Sequence, residues 1–265
     1  MAYTTIDDPS VYFQTKLWSG NGSAGTSITN DGNSDLQPDF FWAKTRNHTY
    51  NHIVLDSSRG VTNKRIIPNS TDAEDTYAGF MDSFDTDGFT VDNDVNTNES
   101  GKTYVAWQWK VNGGTTANNT SGDIGTSVVQ ANTTAGISIV LYTGNNTGGS
   151  TVGHGLGGVP EWILTKSRAA AKPWVVYHAS LGNTKSIKLD TNDGAATDSS
   201  AWSNTTPSST TFTLGNGDSN HTGTMVAYCF RSIQGYSKIG SYAGNGSTDG
   251  PFVYTGFKPA WVLIT

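Results

Sequence analysis

Acidic residues crowd one short stretch of the chain, and oxygen ligands are the type that Ca²⁺ prefers. The stretch covers residues 81–94, MDSFDTDGFTVDND. The candidate ligands are Asp85, Asp87, Asp92 and Asp94. The glutamate that closes a twelve-residue calcium loop is missing, and the second half of the chain has the acid-free residues 205–210 at the matching place. One interpretation is a calcium site, the only cofactor considered, and the other is a solvated acidic turn.

Tryptophan side chains are the candidates for binding sugars, because a flat apolar ring can pack against a sugar ring. Trp174 and Trp202 have proline or polar neighbours, so we expect them to be exposed and to bind glycans. Trp107 and Trp109 alternate with Gln108, so both indoles face one side of a strand. We expect these two to pack in a core.

Hydrolysis of a glycan would need two carboxylates about 5 to 10 Å apart. The available acids are Glu74, Asp75, Glu99 and Glu161, and the two halves of the chain share no acidic pair at strand positions. There is no Gly-x-Ser-x-Gly nucleophile motif, and the histidines lack the spacing of a zinc site. The sequence predicts no catalytic residues.

Composition restricts the partners of this 265-residue chain. Only 14% of the residues are charged and the net charge is −6, so there is no basic stripe for nucleic acid. No apolar run approaches the roughly 20 residues of a membrane span. The single cysteine, Cys229, cannot form an intrachain disulfide. We expect no secretory leader, because residues 2–9 are polar.

Internal repetition organises the chain. An aromatic strand residue followed by a turn with glycine and asparagine occurs three times, at residues 18–23, 142–147 and 242–247. A proline that opens an apolar strand also occurs three times, at residues 38–44, 160–166 and 259–265. For both motifs the first two copies lie 122 to 124 residues apart, so the repeat is a whole structural unit.

Each copy has the pattern of short strands separated by turns rich in Gly, Asn, Ser and Thr. The sequence predicts an all-β fold of tandem jelly-roll-like β-sandwich units, with a third unit incomplete. Residues 103–109 and 224–230 are almost continuously apolar, so we expect each to be a central strand. A short helix is expected only at residues 70–81.

The predicted organisation has five parts. They are an N-terminal attachment segment at 1–15, unit 1 at 16–111, a linker at 112–136 with a bridging strand at 126–130, unit 2 at 137–234, and about two strands of a third unit at 235–265. Two strands bury too little to stand alone. Either the natural chain continues beyond residue 265, which we favour, or these strands complete a sheet in a neighbouring unit or subunit.

The motifs resemble a repeated domain of marine bacteriophage structural proteins of the tail-fibre and tail type. The matching stretches are residues 6–14, 142–145, 154–157, 160–166, 174–178, 235–242 and 249–257. The pattern is also similar to concanavalin-like and SPRY-like sandwiches, which bind glycans or peptides through loops. The resemblance implies a location in the virion, with one region attached to the particle and the rest projecting outward.

The function expected from this resemblance is that of a non-enzymatic virion structural protein, a tail-fibre or appendage subunit with structural and host-adhesion roles. Its expected partners are other copies of itself, with a trimer as our choice, other virion proteins and a host surface glycan. We expect assembly in the host cytoplasm followed by release. The alternatives are a secreted lectin-like carbohydrate-binding module and, less favoured, a glycan depolymerase.

Overall fold

A computed structural model describes residues 3–264, and it confirms the predicted all-β sandwich fold. The first unit contains strands β1 (Phe13–Ser19), β2 (Thr26–Thr29), β3 (Phe40–Thr45), β4 (Ile53–Asp56), β5 (Met81–Asp85), β6 (Gly88–Val91) and β7 (Thr103–Trp109). The linker contains β8 (Ala117–Asn119) and β9 (Ser127–Asn132). The second unit contains β10 (Ile137–Gly144), β11 (Thr151–Gly153), β12 (Trp162–Ser167), β13 (Val175–His178), β14 (Lys185–Lys188), β15 (Ala196–Thr197), helix α1 (Ser199–Trp202), β16 (Thr211–Thr213) and β17 (Gly223–Phe230).

The two units have the same sheet order. The large sheet of unit 1 runs β1-β7-β3-β4, and the large sheet of unit 2 contains β10-β17-β12-β13 in the matching order, extended by β14 and β15 at one edge and by β9 and β8 at the other. All pairs in these sheets are antiparallel. We call β1 and β10, which lead into the glycine-asparagine turns, the turn strands, and β3 and β12, which follow the motif prolines, the proline strands. The two apolar strands predicted to be central, β7 and β17, each lie between the turn strand and the proline strand of their unit.

Small sheets cover one face of each large sheet: β2-β6-β5 in unit 1 and β11-β16 in unit 2. Successive residues of a strand point to opposite faces. Phe41 and Ala43 of β3 therefore pack toward the small sheet of unit 1, while Phe40 and Trp42 pack toward unit 2. A third core forms where the large sheets of the two units face each other, so the molecule has four layers of sheet.

Two short segments were predicted individually, a helix at residues 70–81 and a bridging strand at residues 126–130. The helix expected at residues 70–81 is wrong: residues 70–80 contain no helix and Met81 begins β5. The backbone of the stretch bonds to distant residues, with Asp75 N donating to Arg65 O at 2.8 Å and Glu74 N to Arg168 O at 3.1 Å. These tertiary hydrogen bonds replace the local bonds of a helix. The bridging strand is present as β9, which pairs with β8 and β10. No helix within residues 3–264 has the length and apolar character to cross a bilayer.

The strands expected at the start of a third unit are not formed. Residues 240–264, here called the third-repeat segment, contain turns and bends but no strand. A β-strand needs a neighbour to accept and donate its backbone hydrogen bonds. Within the described residues this segment has no such neighbour, which explains the difference from the prediction.

Candidate functional site

The four predicted calcium ligands do not come together. Each carboxylate accepts hydrogen bonds at separate places: Asp85 from Ser83 and Thr90, Asp87 from Leu36, Asp92 from Asn93 and Asp94 from Asn96. Across residues 3–264, no three His, Cys, Asp or Glu side chains converge as metal ligands would. The geometry favours the turn-forming interpretation of these aspartates over the calcium interpretation.

Trp174 and Trp202 are buried, so the expectation that they are exposed is wrong. Each is only 1% exposed. Trp174 Nε1 donates to the carbonyl of Ile67 at 2.9 Å, which joins the two units, and Trp202 packs against Tyr177 with ring centroids 5.7 Å apart. Polar neighbours indicate that the backbone lies near the surface, but they do not determine the direction of the side chain. The large apolar ring of each tryptophan points into the core. Neither indole offers a face to a sugar.

The carboxylates considered for hydrolysis are each bound to different donors. Asp75 pairs with Arg65, Glu99 accepts from the Tyr50 hydroxyl, Glu161 accepts from Ser232 N, and Glu74 pairs with two arginines. These acids therefore serve separate structural contacts and do not form a pair across a cleft.

A buried ion network crosses the boundary between the two units. Arg59 pairs with Asp56 at 2.5 Å and with Glu74 at 3.0 Å, and Arg168 of unit 2 binds the same Glu74 at 2.7 Å. The hydroxyl of Tyr228, also in unit 2, donates to Asp56 at 2.6 Å. Burial alone would raise the pKa of Glu74, but its hydrogen bonds and charge pairing with Arg168 and Arg59 hold the pKa below its usual range. These ion pairs and the tyrosine hydrogen bond connect the two units at defined positions.

An aromatic cluster lies where the third-repeat segment meets the two units. It consists of Trp42, Trp107, Trp109, Trp162 and Trp261. The indole of Trp261 lies 5.2 Å from that of Trp109 and 6.4 Å from that of Trp42, measured between ring centroids. Trp107, Trp162 and Trp261 are partly exposed. The indoles that remain accessible are therefore different from the two that the sequence suggested.

His52 supports this cluster and makes it sensitive to pH. Its Nδ1 accepts a hydrogen bond from Trp42 Nε1 at 3.0 Å, which requires the neutral ring. Burial first, and then the charge of Lys44, lower the pKa of His52 from 6.5 to about 4. As the pH falls below about 6.5, His52 becomes protonated in the unfolded chain. In the folded chain it stays neutral until the pH approaches about 4.

The free energy of unfolding should therefore fall as the pH is lowered from 6.5 to 4, and His52→Gln should reduce this slope. Urea denaturation at several pH values in this range would measure it. The exposed His48, changed to Gln, provides the control. An H52Q slope equal to the wild-type slope would contradict this role of His52.

A buried asparagine holds the glycine-asparagine turn in each unit, and we call this arrangement the turn clamp. In unit 1, Asn98 Oδ1 accepts from Asn21 N at 3.0 Å, and its Nδ2 donates to Ser23 O at 2.7 Å. In unit 2, Asn220 Oδ1 accepts from Asn145 N at 3.0 Å, and its Nδ2 donates to Thr147 O at 2.9 Å. Both asparagines are fully buried.

The turn clamp was missed by the sequence analysis, although the repeat contains its signal. The motif Asn-x-Ser/Thr-Gly occurs at residues 98–101, 119–122, 145–148 and 220–223, and the first and last of these precede or begin the central strand of their unit. The copies at the central strands are 122 residues apart, the same distance as the first two proline motifs. Without coordinates, the abundance of Asn-x-Ser/Thr triplets in this composition hides the two that matter.

Replacing Asn220 by alanine should lower the free energy of unfolding by about 1 to 3 kcal/mol, because several buried partners lose their hydrogen bonds. Chemical denaturation followed by tryptophan fluorescence would measure the change. Asn192→Ala, at an exposed position, is the matched control and should stay within about 0.5 kcal/mol of the wild type. Equal stability of the two variants would show that the clamp contributes nothing.

Comparisons with known proteins identify a family for this fold. A family model described as Domain of unknown function (DUF7483) matches residues 8–265. The comparison with curated proteins gives no significant match, and the comparison with solved structures gives none either. Because the match extends over nearly the whole length, the chain belongs to the family described as Domain of unknown function (DUF7483).

Proposed function

We propose that this protein is a structural component of a bacteriophage particle, a tail-fibre or appendage subunit without enzymatic activity. The observation that carries this proposal is the shared core between the two units. Phe40 belongs to this core, and its ring lies 4.6 Å from Tyr228 and 6.1 Å from Phe230 of the other unit, measured between ring centroids. The sequence resemblance described above supports the same class of protein.

A shared core suits a mechanical part. Two domains joined by a linker move relative to each other unless the surface between them is large and apolar. Here the two large sheets bury their facing side chains together, and the ion network adds charge pairs across the same boundary. Lys166 also crosses it, with Nζ donating to Thr71 O at 2.9 Å. Force applied to one unit passes to the other through packed side chains.

The polar loops at the ends of the sheets are the surfaces that we propose for adhesion to a host glycan. The loop residues 191–195 lie outside the core and are exposed over their whole length. Weak binding by one loop becomes useful when several copies act together, which is why we propose a homo-oligomer, with a trimer as our choice. Attachment to other virion proteins completes the proposed set of partners.

Purified phage particles offer the direct test of the virion proposal. An antibody against this chain should label purified particles in electron microscopy, and mass spectrometry of those particles should find the chain in stoichiometric amount. The infected-cell lysate after removal of particles is the control fraction. Finding the chain only in that fraction, or only as a free secreted protein, would contradict the proposal.

A glycan array tests the adhesion role separately. The oligomeric protein should bind a subset of host surface glycans, and incubation with those polysaccharides should release no reducing sugar. If the protein binds none of the host glycans on the array, the adhesion role is contradicted. Release of reducing sugar would contradict the non-enzymatic assignment.

A further inference from the structure

A cleft of about 240 Å³ lies beside the linker, at one edge of the large sheet of unit 2. It is lined by Asn112 and residues 115–119 of the linker, by Val129 and Ala131 of β9, and by Gly155, which follows β11. Residues 117–119 form β8, the last strand at this edge of the sheet. The cleft therefore lies between the linker and unit 2.

This cleft is an addition to the repeat. In unit 1 the turn strand β1 is the edge of the large sheet, whereas in unit 2 the equivalent strand β10 is followed by β9 and then by β8. The described part of unit 1 thus has no counterpart of the strands that form the cleft. Segments added to a rigid scaffold carry binding functions more often than the elements that build the scaffold.

Buried groups hold the linker side of the cleft in one conformation. The Asp39 carboxylate accepts from Gly113 N at 2.9 Å and from Gly114 N at 2.8 Å. The side-chain oxygen of Gln130 accepts from Asn112 N and from Gly114 N, both at 3.0 Å. Asp39 and Gln130 are at most 1% exposed, so both acceptors are shielded from water. Because this wall is already ordered, a ligand does not lose binding free energy by ordering it.

The Asn119 side chain is also fixed, with its donor toward the cleft. Its Oδ1 accepts from Ser121 N at 2.9 Å and lies so close to the backbone of Gly153 that a Cβ there would collide with it. A Cβ at the lining residue Gly155 would stand 3.7 Å from Asn119 Nδ2. Within residues 3–264 this Nδ2 donates no hydrogen bond, so its two N–H groups are available to a ligand.

The other lining groups are neutral and polar around a small apolar surface. The side chains of Thr115, Thr116 and Asn118 line the cleft and make no hydrogen bond within the described chain. Val129 and Ala131 contribute methyl groups. A sugar ring has the same two properties, with hydroxyls around its edge and C–H groups on its face. A carboxylate, phosphate or ammonium ligand would find no opposite charge among the lining residues, and burying it unpaired would be costly.

The size and position of the cleft restrict the ligand further. Pockets for drug-sized molecules have volumes of about 300–1,000 Å³, and this cleft is smaller, so it accommodates about one ring. Ligand sites occur preferentially where domains meet. Here Asp39 of unit 1 holds the linker wall, and Gly155 of unit 2 lies in the lining. The site is therefore complete only when the two units are stacked.

We propose that this cleft binds one neutral sugar residue of a host surface glycan. The inference rests on the adhesion role proposed above and says where the sugar binds. Asn119 Nδ2 donates to a sugar hydroxyl, and the C–H face of the ring packs on Val129 and Ala131. A single ring binds weakly, with a Kd on the order of 1 mM. Several copies of the protein acting together then provide the avidity that one cleft lacks.

Side-chain amide signals in NMR spectra report on the cleft directly. Protein labelled with ¹⁵N would be titrated with the methyl glycosides of glucose, galactose, mannose and N-acetylglucosamine, and with that of glucuronic acid as the charged probe. At least one neutral glycoside should shift the Asn119 side-chain amide signals in a saturable way. The glucuronic acid glycoside should bind at least about tenfold more weakly than the best neutral one, because its carboxylate has no partner.

A tryptophan substitution tests the place of binding. Ala117 is exposed on β8 and pairs with Val129, so its side chain lies on the same face of the sheet as Val129. Ala117→Trp should fill the cleft and weaken glycoside binding about tenfold or more. Ala196→Trp is the matched control, because Ala196 is exposed on β15 at the opposite edge of the same sheet, and binding should stay at the wild-type level. Both free variants should melt at the wild-type temperature.

Asn119→Asp tests the donor without changing the volume of the side chain. The aspartate keeps an oxygen for Ser121 N and replaces Nδ2 by a second oxygen, so binding of the neutral glycoside should weaken about tenfold, equivalent to about one hydrogen bond. This variant also decides the question if A117W does not fold. An N119D affinity equal to that of the wild type would overturn the role of Asn119.

The outcomes separate the cleft from the adhesion role. The cleft inference is overturned if none of the four neutral glycosides shifts the Asn119 signals at concentrations up to about tenfold above the expected Kd. It is also overturned if A117W binds as well as A196W, or if the glucuronic acid glycoside binds more tightly than the neutral ones. Array glycans that bind A117W as well as the wild type would place the adhesive site elsewhere and leave the adhesion role intact.

Discussion

Replacing Arg59 by methionine is expected to lower the free energy of unfolding by about 3 to 5 kcal/mol, because it leaves the buried Asp56 carboxylate without its cation and removes one of the two arginines that bind Glu74. The Arg59 side chain is fully buried, and so is that of Asp56, while Glu74 is 8% exposed. Methionine fills a similar volume, so the loss would come from charge rather than from a cavity. Urea denaturation at pH 7, followed by circular dichroism, would measure it.

The control for this variant is the exposed ion pair between Lys16 and Asp31. Asp31 is 72% exposed, so Asp31→Asn should cost at most about 1 kcal/mol. Adding Asp56→Asn to R59M should recover part of the loss, because the uncompensated buried charge is then removed. An R59M variant as stable as D31N would contradict the structural role of the network.

Replacing Phe40 by alanine should also cost about 3 to 5 kcal/mol, and the loss should extend to both units. Phe40 is 1% exposed, and its ring lies 5.2 Å from Trp109 in its own unit and 4.6 Å from Tyr228 in the other. If the facing sheets share one core, a cavity there weakens both. Hydrogen exchange resolved by peptide should therefore speed up in β7 and in β17 alike.

Phe89→Ala is the matched control, because Phe89 is fully buried in the core between β6 and the large sheet of unit 1. Its effect on exchange should be greater in β7 than in β17. A pattern in which F40A accelerates exchange in unit 1 alone would show that the two units unfold independently, and would remove the main support for a rigid two-unit body.

The strands of a unit, and the central position of one of them, could be predicted because their signals are local and occur twice. Glycine and asparagine mark the turns, and the apolar residues on both faces of β7 and β17 indicate that these strands are central. The same reading failed for Trp174 and Trp202, since the neighbours of a residue along the chain do not determine which way its ring points. It also failed for residues 70–81, where acidic and alanine residues suggested a helix but distant arginines bind the acids.

The packing of one unit on the other had a signal that is ambiguous without coordinates. In β3, Phe40 to Ala43 are all apolar, where a strand with one solvated face would alternate apolar and polar residues. Such a run indicates that both faces are covered, but a small sheet, a linker or a second unit could each be the cover. The ion network gave no signal, because Asp56, Arg59, Glu74 and Arg168 meet only after the sheets have stacked.

The sequence by itself determined the β-sandwich class, the repeat and the central strands, because turn chemistry and apolar runs act over a few residues. Tertiary structure alone decided that the two units share a core. It also decided that the candidate calcium ligands form separate hydrogen bonds and that the candidate sugar-binding tryptophans are buried. It also decided which asparagines are buried and that residues 240–264 hold a formed turn with no strand beside it. These properties depend on which faces meet in space, and contact between distant residues is set by packing free energy rather than by local pattern.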